Sequence, residues 1–90
     1  MYKIISKTAL CDAVIKMEIE APLVARKAEP GQFIILRVSE DGERIPLTIA
    51  DFDREKGSVT IIFQTVGATT KLLAAKNAGE YIPDFVGPLG

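Results

Sequence analysis

Apolar and polar residues alternate along this chain in short runs, cut by turn residues at regular intervals. From Ala13 to Glu20 the alternation is strict. Ile15, Met17 and Ile19 share one face and Lys16, Glu18 and Glu20 the other, the mark of a half-buried strand. Ala21-Pro22 ends it, because proline has no amide to give to a ladder. Tyr2 to Ser6 reads as a strand before it. Lys27-Ala28-Glu29-Pro30-Gly31 reads as a turn, and Gln32 to Val38 as a strongly apolar, central strand. Asp41-Gly42 is a hairpin signal. It leads into a fourth strand, Arg44 to Ala50, interrupted by Pro46. Arg54-Glu55-Lys56-Gly57 is another polar turn, and Ser58 to Gln64 a fifth strand.

Helical character appears once. Thr69 or Thr70 can cap a helix that continues through Leu72, Leu73, Ala74 and Ala75, and Asn77 or Gly79 stops it. Glu80 to Val86 is a last strand, with Pro83 marking an edge or a bend. The pattern predicts an all-β domain: a six-stranded antiparallel Greek-key barrel with one short helix. The final Val86-Gly87-Pro88-Leu89-Gly90 reads as a linker, placed where a second domain would begin.

Composition narrows the chemistry. Ninety residues make one domain, residues 1–90, with a modest core. Eleven basic and twelve acidic side chains leave a net charge of −1, with no basic block, so nucleic-acid binding is disfavoured. Cys11 is the single cysteine and there is no histidine. That excludes an internal disulfide, a Cys/His zinc site, an iron–sulfur cluster held by this chain alone, and any imidazole-based triad. Cys11 reads as a small buried or half-buried hydrophobe. No apolar run reaches the roughly 20 residues of a membrane span, and Met1-Tyr2-Lys3-Ile4-Ile5 has no signal-peptide core. The expectation is a cytoplasmic protein.

Two segments remain that can do chemistry. Arg44-Ile45-Pro46-Leu47-Thr48-Ile49 puts a guanidinium and a hydroxyl on one strand, with Thr48 facing opposite to Leu47 and Ile49. A guanidinium suits phosphate because its planar fork donates in pairs. Gln64-Thr65-Val66-Gly67-Ala68-Thr69-Thr70 puts a glycine and two threonines at a helix start, where a backbone can approach a ligand closely. Together they make a pair of jaws for a phosphate-bearing cofactor. Taken singly, each has a plainer reading: a surface arginine, an edge-strand proline, a capped helix. Asp51, Asp53 and Glu55 offer a metal or an acid–base pair, against the plainer reading of a solvated turn.

Pro30-Gly31-Gln32-Phe33, Arg44 to Ile49, Val66-Gly67-Ala68-Thr69-Thr70-Lys71-Leu72 and Val86 to Gly90 resemble, in order and spacing, the FAD-binding barrel of the ferredoxin–NADP reductase-like superfamily. The branch they look most like contains the electron-transfer subunit of dihydroorotate dehydrogenase, sulfide dehydrogenase and the small subunit of NADH-dependent ferredoxin:NADP oxidoreductase. The resemblance implies that Pro46, Leu47 and Thr48 meet the isoalloxazine edge and ribityl region, with Thr48 near the flavin N5. It implies that Arg44 pairs with the diphosphate and that Thr65, Val66 and Gly67 run beside the ribityl chain. The turn holding Gly67, Thr69 and Thr70 would take the phosphates. The chain departs from the commoner motif in two ways: Pro46 or Leu47 stands where an aromatic usually stacks, and Arg44 sits one residue earlier relative to the threonine.

The resemblance also implies an α/β domain for NAD(P)H and a cysteine cluster for a [2Fe–2S] centre, neither of which these residues contain. The chain is therefore read as a fragment of a longer reductase. Its expected partners are a catalytic or iron–sulfur subunit and ferredoxin, with a homodimer allowed by any face that the fragment leaves uncovered. Two other readings stand beside it: a flavin-free barrel serving protein interaction or assembly, and an unrelated small barrel such as an oligonucleotide-binding fold. Fold alone does not decide among them.

Overall fold

The computed structural model describes residues 1–90. Alternation sets which side of each strand turns inward. Met17 and Ile19 of β2 (Val14–Glu20), Ile34 and Leu36 of β3 (Phe33–Arg37), Ile49 of β4 (Arg44–Asp53) and Val59, Ile61 and Phe63 of β5 (Ser58–Gln64) are all buried. Ile4 of β1 (Tyr2–Cys11), Ile82 of β6 (Tyr81–Ile82) and Phe85 of β7 (Asp84–Leu89) join them. Removing each such side chain from water contributes about 1.5–3 kcal/mol, which makes this interior the main source of stability. Leu73 of α2 (Ala68–Ala74) is buried in the same cluster.

The strands form one antiparallel sheet in the order β6-β1-β2-β5-β4-β3-β7. β3, β4 and β5 follow one another, and β2 lies beside β5 rather than beside β3, a Greek-key order. The sheet's two outer strands, β6 and β7, are consecutive in the chain with only Pro83 between them. One residue thus carries the backbone from one end of the sheet to the other and nearly closes the barrel.

Several expectations change. There are seven strands rather than six, because Glu80–Val86 is two strands hinged at Pro83, whose missing amide suits the crossing from β1's edge to β3's. The tail is not a linker: Phe33 pairs with Leu89, so β7 runs almost to the end. Gly87 shows why the tail must be glycine there. A Cβ would fall 2.7 Å from Ile34 Cγ2 and 3.2 Å from the Phe33 carbonyl oxygen. β1 continues past Ser6 to Cys11 because β2 supplies partners as far as Val14, and β4 continues past Ala50 to Asp53 against Ser58.

The expected short helix is α2, ending at Ala74, ahead of Asn77. The pattern gives no warning of a second, shorter one, α1 (Pro22–Lys27). Pro22 does end β2, but it also occupies the first helical turn, where its missing amide costs nothing. Val24, Ala25 and Ala28 then pack into the core, so tertiary burial supports a helix too short to stand alone. Cys11 is exposed rather than buried, because it sits at the tip of the β1–β2 hairpin. The turn there passes through Ala13 at φ 64°.

Candidate functional site

β4 changes partner halfway along. Arg44 to Thr48 pair with β3, from Arg37↔Arg44 to Phe33↔Thr48, whereas the ladder with β5 begins only at Ile49↔Ile61. The Ile49 amide donates to the Gln32 carbonyl at 2.9 Å. Antiparallel alternation therefore turns the Thr48 amide to the opposite edge, the one without a paired strand, and Pro46's missing amide falls on that edge too. A proline is tolerated here because no ladder bond is lost. On side chains the alternation gives two faces. Arg44, Pro46 and Thr48 are exposed, while Ile45 and Leu47 are half-buried and pack against the core. Leu47 thus presents its backbone, and not its side chain, to the surface shared by Pro46 and Thr48.

Arg44 does not stand alone. Its Nε and Nη2 both donate to Asp84 Oδ2 at 3.4 Å. Arg37, opposite Arg44 on β3, has its Nε 3.5 Å from the same oxygen; that nitrogen is buried and makes no hydrogen bond. The Arg37 Nη1 donates to the Glu40 carbonyl at 2.8 Å. Asp84, Arg37 and Arg44 form one row across β7, β3 and β4. These contacts are long for charge-assisted bonds, and the Arg44 side chain is 64% exposed, so its fork is available to a ligand.

The second segment begins where β5 ends. The Thr65 amide donates to the Ala13 carbonyl at 2.8 Å, fixing the exit of the strand, and the Val66 side chain is 76% exposed. Gly67 is the N-cap of α2, in place of the expected threonine caps. Thr70 reaches back instead: its Oγ1 accepts from the Val66 amide at 3.0 Å and the Gly67 amide at 3.1 Å, and donates to the Gly67 carbonyl at 3.1 Å. The Thr70 hydroxyl is thus engaged in shaping the turn. Gly67 is extended, at φ −152°, and a Cβ there would meet nothing within 4 Å.

The two segments meet. The Thr69 hydroxyl donates to Glu43 Oε1 at 2.7 Å, and Glu43 immediately precedes Arg44. Arg44, Pro46, Thr48, Val66, Gly67 and Thr69 therefore belong to neighbouring parts of one surface. Glu43, Asp84 and Arg37 are the residues that sequence reasoning missed. Glu43 carried a signal, as a carboxylate beside the singled-out arginine. Asp84 carried none, since its place beside Arg44 depends on β7 crossing to β3.

The remaining candidates lie elsewhere. Asp53 accepts the Glu55 and Lys56 amides at 3.0 Å each and so closes its own turn. A shallow cavity of about 300 Å³ is lined by Met1, Tyr2, Glu20, Ala21, Pro22, Leu23 and Val24. It lies toward the Asp53–Gly57 hairpin, at the other end of the barrel from Thr65, and shares no residue with the jaws. The Glu18–Lys56 pair also lies outside the site. Glu18 is held below the ordinary carboxylate value by hydrogen bonds from Lys56 and Ser58, and Lys56 is raised by the same pairing. No helix is long and apolar enough to cross a membrane.

No protein-family model matches the chain. Over 90 residues it is 64% identical to a Clostridium beijerinckii protein named "Uncharacterized protein in adh 3'region", covering all of this chain and 30% of that protein. It is 43% identical over 90 residues to a Thermotoga maritima dihydroorotate dehydrogenase B (NAD(+)) electron transfer subunit homolog, covering 32% of it. The chain spans about a third of the length of the curated relatives it matches. The solved structure of an NADH-dependent reduced ferredoxin-NADP oxidoreductase, described for flavin-based electron bifurcation, superposes with a TM-score of 0.97. Identity there is 42%, over 100% of this chain and 33% of that one. Over its whole length the chain is thus similar to about a third of each of these proteins, and its barrel superposes closely on the matching part of the ferredoxin-NADP oxidoreductase.

Proposed function

We propose that this chain is the FAD-binding barrel of a flavin-dependent electron-transfer subunit. The observation that carries the reading is the Thr69–Glu43 contact, which sets the Arg44 strand and the Gly67 turn side by side on one exposed surface. The fit to a flavin dinucleotide rests on three features: an exposed guanidinium, an open strand edge at Thr48, and open space above Gly67. The homology to proteins named for electron transfer and flavin-based bifurcation supports it.

In this reading Arg44 pairs with the diphosphate. Pro46 and Thr48 lie along the isoalloxazine edge, Pro46 by aliphatic contact and Thr48 as a hydrogen-bonding group near N5. Leu47 supports the strand from the core side and contributes backbone. Thr65, Val66 and Gly67 follow the ribityl chain. Thr69 offers its hydroxyl to a phosphate, and Thr70 holds the turn in shape. FAD held by these residues would supply the redox chemistry, between hydride and single-electron transfer, while the protein's part would be to bind and orient it.

The rest of the proposal concerns the longer protein. These 90 residues are one domain of it, and the NAD(P)H site and any [2Fe–2S] cluster lie outside them. Electrons then pass between NAD(P)H and an iron–sulfur partner subunit or ferredoxin, in the cytoplasm. The test is a titration of the purified chain with FAD, followed by flavin fluorescence and visible absorbance, with Arg44→Ala alongside. Saturable binding that Arg44→Ala weakens about tenfold or more supports the reading. No binding, either by this chain or by the longer protein, overturns it in favour of a flavin-free assembly module.

A further inference from the structure

Both polar groups that the flavin reading assigns to phosphate are already held by carboxylates. Arg44 donates twice to Asp84 Oδ2 at 3.4 Å, and Thr69 donates to Glu43 Oε1 at 2.7 Å. Arg37 shares Asp84 at 3.5 Å. The mouth therefore sets two guanidiniums, Arg37 and Arg44, against two carboxylates, Asp84 and Glu43, whose charges cancel in sum. A dianionic diphosphate then gains little from the summed charge. Arg44, 64% exposed, reaches it most fully as its hold on Asp84 loosens, and Thr69 reaches it by leaving Glu43.

Building on the reading of Arg44 and Thr69 as phosphate donors, we propose that Glu43 and Asp84 are internal counter-anions that keep the jaws in place and limit the affinity for phosphate-bearing flavin. The two contacts differ in kind. Glu43 to Thr69 is a short bond that pins the β3–β4 hairpin to the first turn of α2, and an incoming phosphate must take its place. Asp84 to Arg44 is long and divided between two guanidiniums, so a phosphate oxygen approaching to about 2.8 Å outcompetes it without breaking the row. Arg37 then retains Asp84, which keeps the carboxylate paired while Arg44 turns to the ligand. Affinity is thus set by two acidic residues that make no favourable contact with the ligand.

The experiment compares the unsubstituted chain with Glu43→Gln, Asp84→Asn and the double variant, each titrated with FAD and with riboflavin at low and high salt. Both substitutions keep a side-chain oxygen that can accept the same hydrogen bonds, so the jaws stay assembled while the charge is removed. Each is expected to tighten FAD binding about three- to tenfold at low salt, and the double variant further. Riboflavin, which has no phosphate, is expected to be unaffected. The gain should shrink toward 1 M salt, where the screening length falls to about 3 Å. FAD binding that is unchanged or weaker in the variants, or a gain shared equally by riboflavin, overturns the proposal and leaves the flavin reading intact. FAD binding by none of the four, whether as this chain or within the longer protein, overturns both.

Discussion

The Lys7 ammonium donates to the Ala74 carbonyl at 2.7 Å, tying β1 to the C-terminal end of α2. It also donates to the Lys76 carbonyl at 3.0 Å. The last carbonyls of a helix lack internal partners, and a cation there also meets the negative end of the helix dipole. β1 therefore anchors the far end of the helix whose first turn carries Thr69 and Thr70.

Lys7→Met should release that end. The expected cost is about 1 kcal/mol, confined to α2. Amide hydrogen exchange at Leu72–Ala75 should quicken about fivefold, while Met17, Ile19 and Ile61 keep their protection. Equal acceleration in the strands would show that Lys7 supports the whole barrel and not the helix.

Thr70→Val and Thr69→Val should separate two threonines that are adjacent in sequence. Thr70 satisfies the Val66 and Gly67 amides, so its loss should lower stability by about 1 kcal/mol, or Tm by about 4–8 °C in a domain of this size. Thr69 reaches only Glu43, so its loss should shift Tm by less than about 2 °C. Thermal denaturation by circular dichroism checks both, and equal shifts would contradict the division of roles.

Two glycines should respond in opposite ways. Gly87→Ala forces a Cβ to within 2.7 Å of Ile34 Cγ2, which must move in a packed core, at a cost of about 1–3 kcal/mol. At Gly67 a Cβ meets nothing within 4 Å and the backbone is already extended, so Gly67→Val should cost no more than the about 1 kcal/mol of a poorer N-cap, while FAD affinity falls at least tenfold through the added side chain. Urea melts of both variants and an FAD titration of Gly67→Val test this. A Gly67→Val chain that binds FAD normally would remove the turn from the site.

Glu18 and Lys56 make stability pH-dependent at both extremes. Lys56 Nζ lies 2.8 Å from Glu18 Oε2, and the buried Ser58 hydroxyl donates to the same oxygen at 3.1 Å. The Glu18 pKa is lowered on folding. Its contribution is therefore complete above the unfolded carboxylate value and is lost as pH falls through the lower folded one, from about pH 5 downward. The Lys56 pKa is raised. Its contribution is complete below the unfolded lysine value and is lost as pH rises through the higher folded one, above about pH 10. Glu18→Gln should flatten both limbs of a plot of urea midpoint against pH. An unchanged acid limb would mean that other carboxylates set it.

What the pattern makes legible is whatever depends on neighbours in sequence. β2 and β5 were readable because alternation with period two needs only one buried face, and Met17, Ile19, Ile61 and Phe63 all fall on it. The outward placing of Thr48, against inward Leu47 and Ile49, was readable for the same reason. α1 was not, because a six-residue helix has no stability apart from the core that Val24, Ala25 and Ala28 enter.

By itself the sequence determined the barrel class, the faces of most strands and the two segments proposed to bear the site, since local alternation and turn residues carry that information. Tertiary structure alone decided that β7 crosses past Pro83 to pair with β3, which brings Asp84 to Arg44 across forty residues of chain. It likewise decided that Glu43 meets Thr69 and that β4 changes partner at Ile49. Those relations depend on closing a sheet between distant strands, and no local pattern records which edge a strand will find.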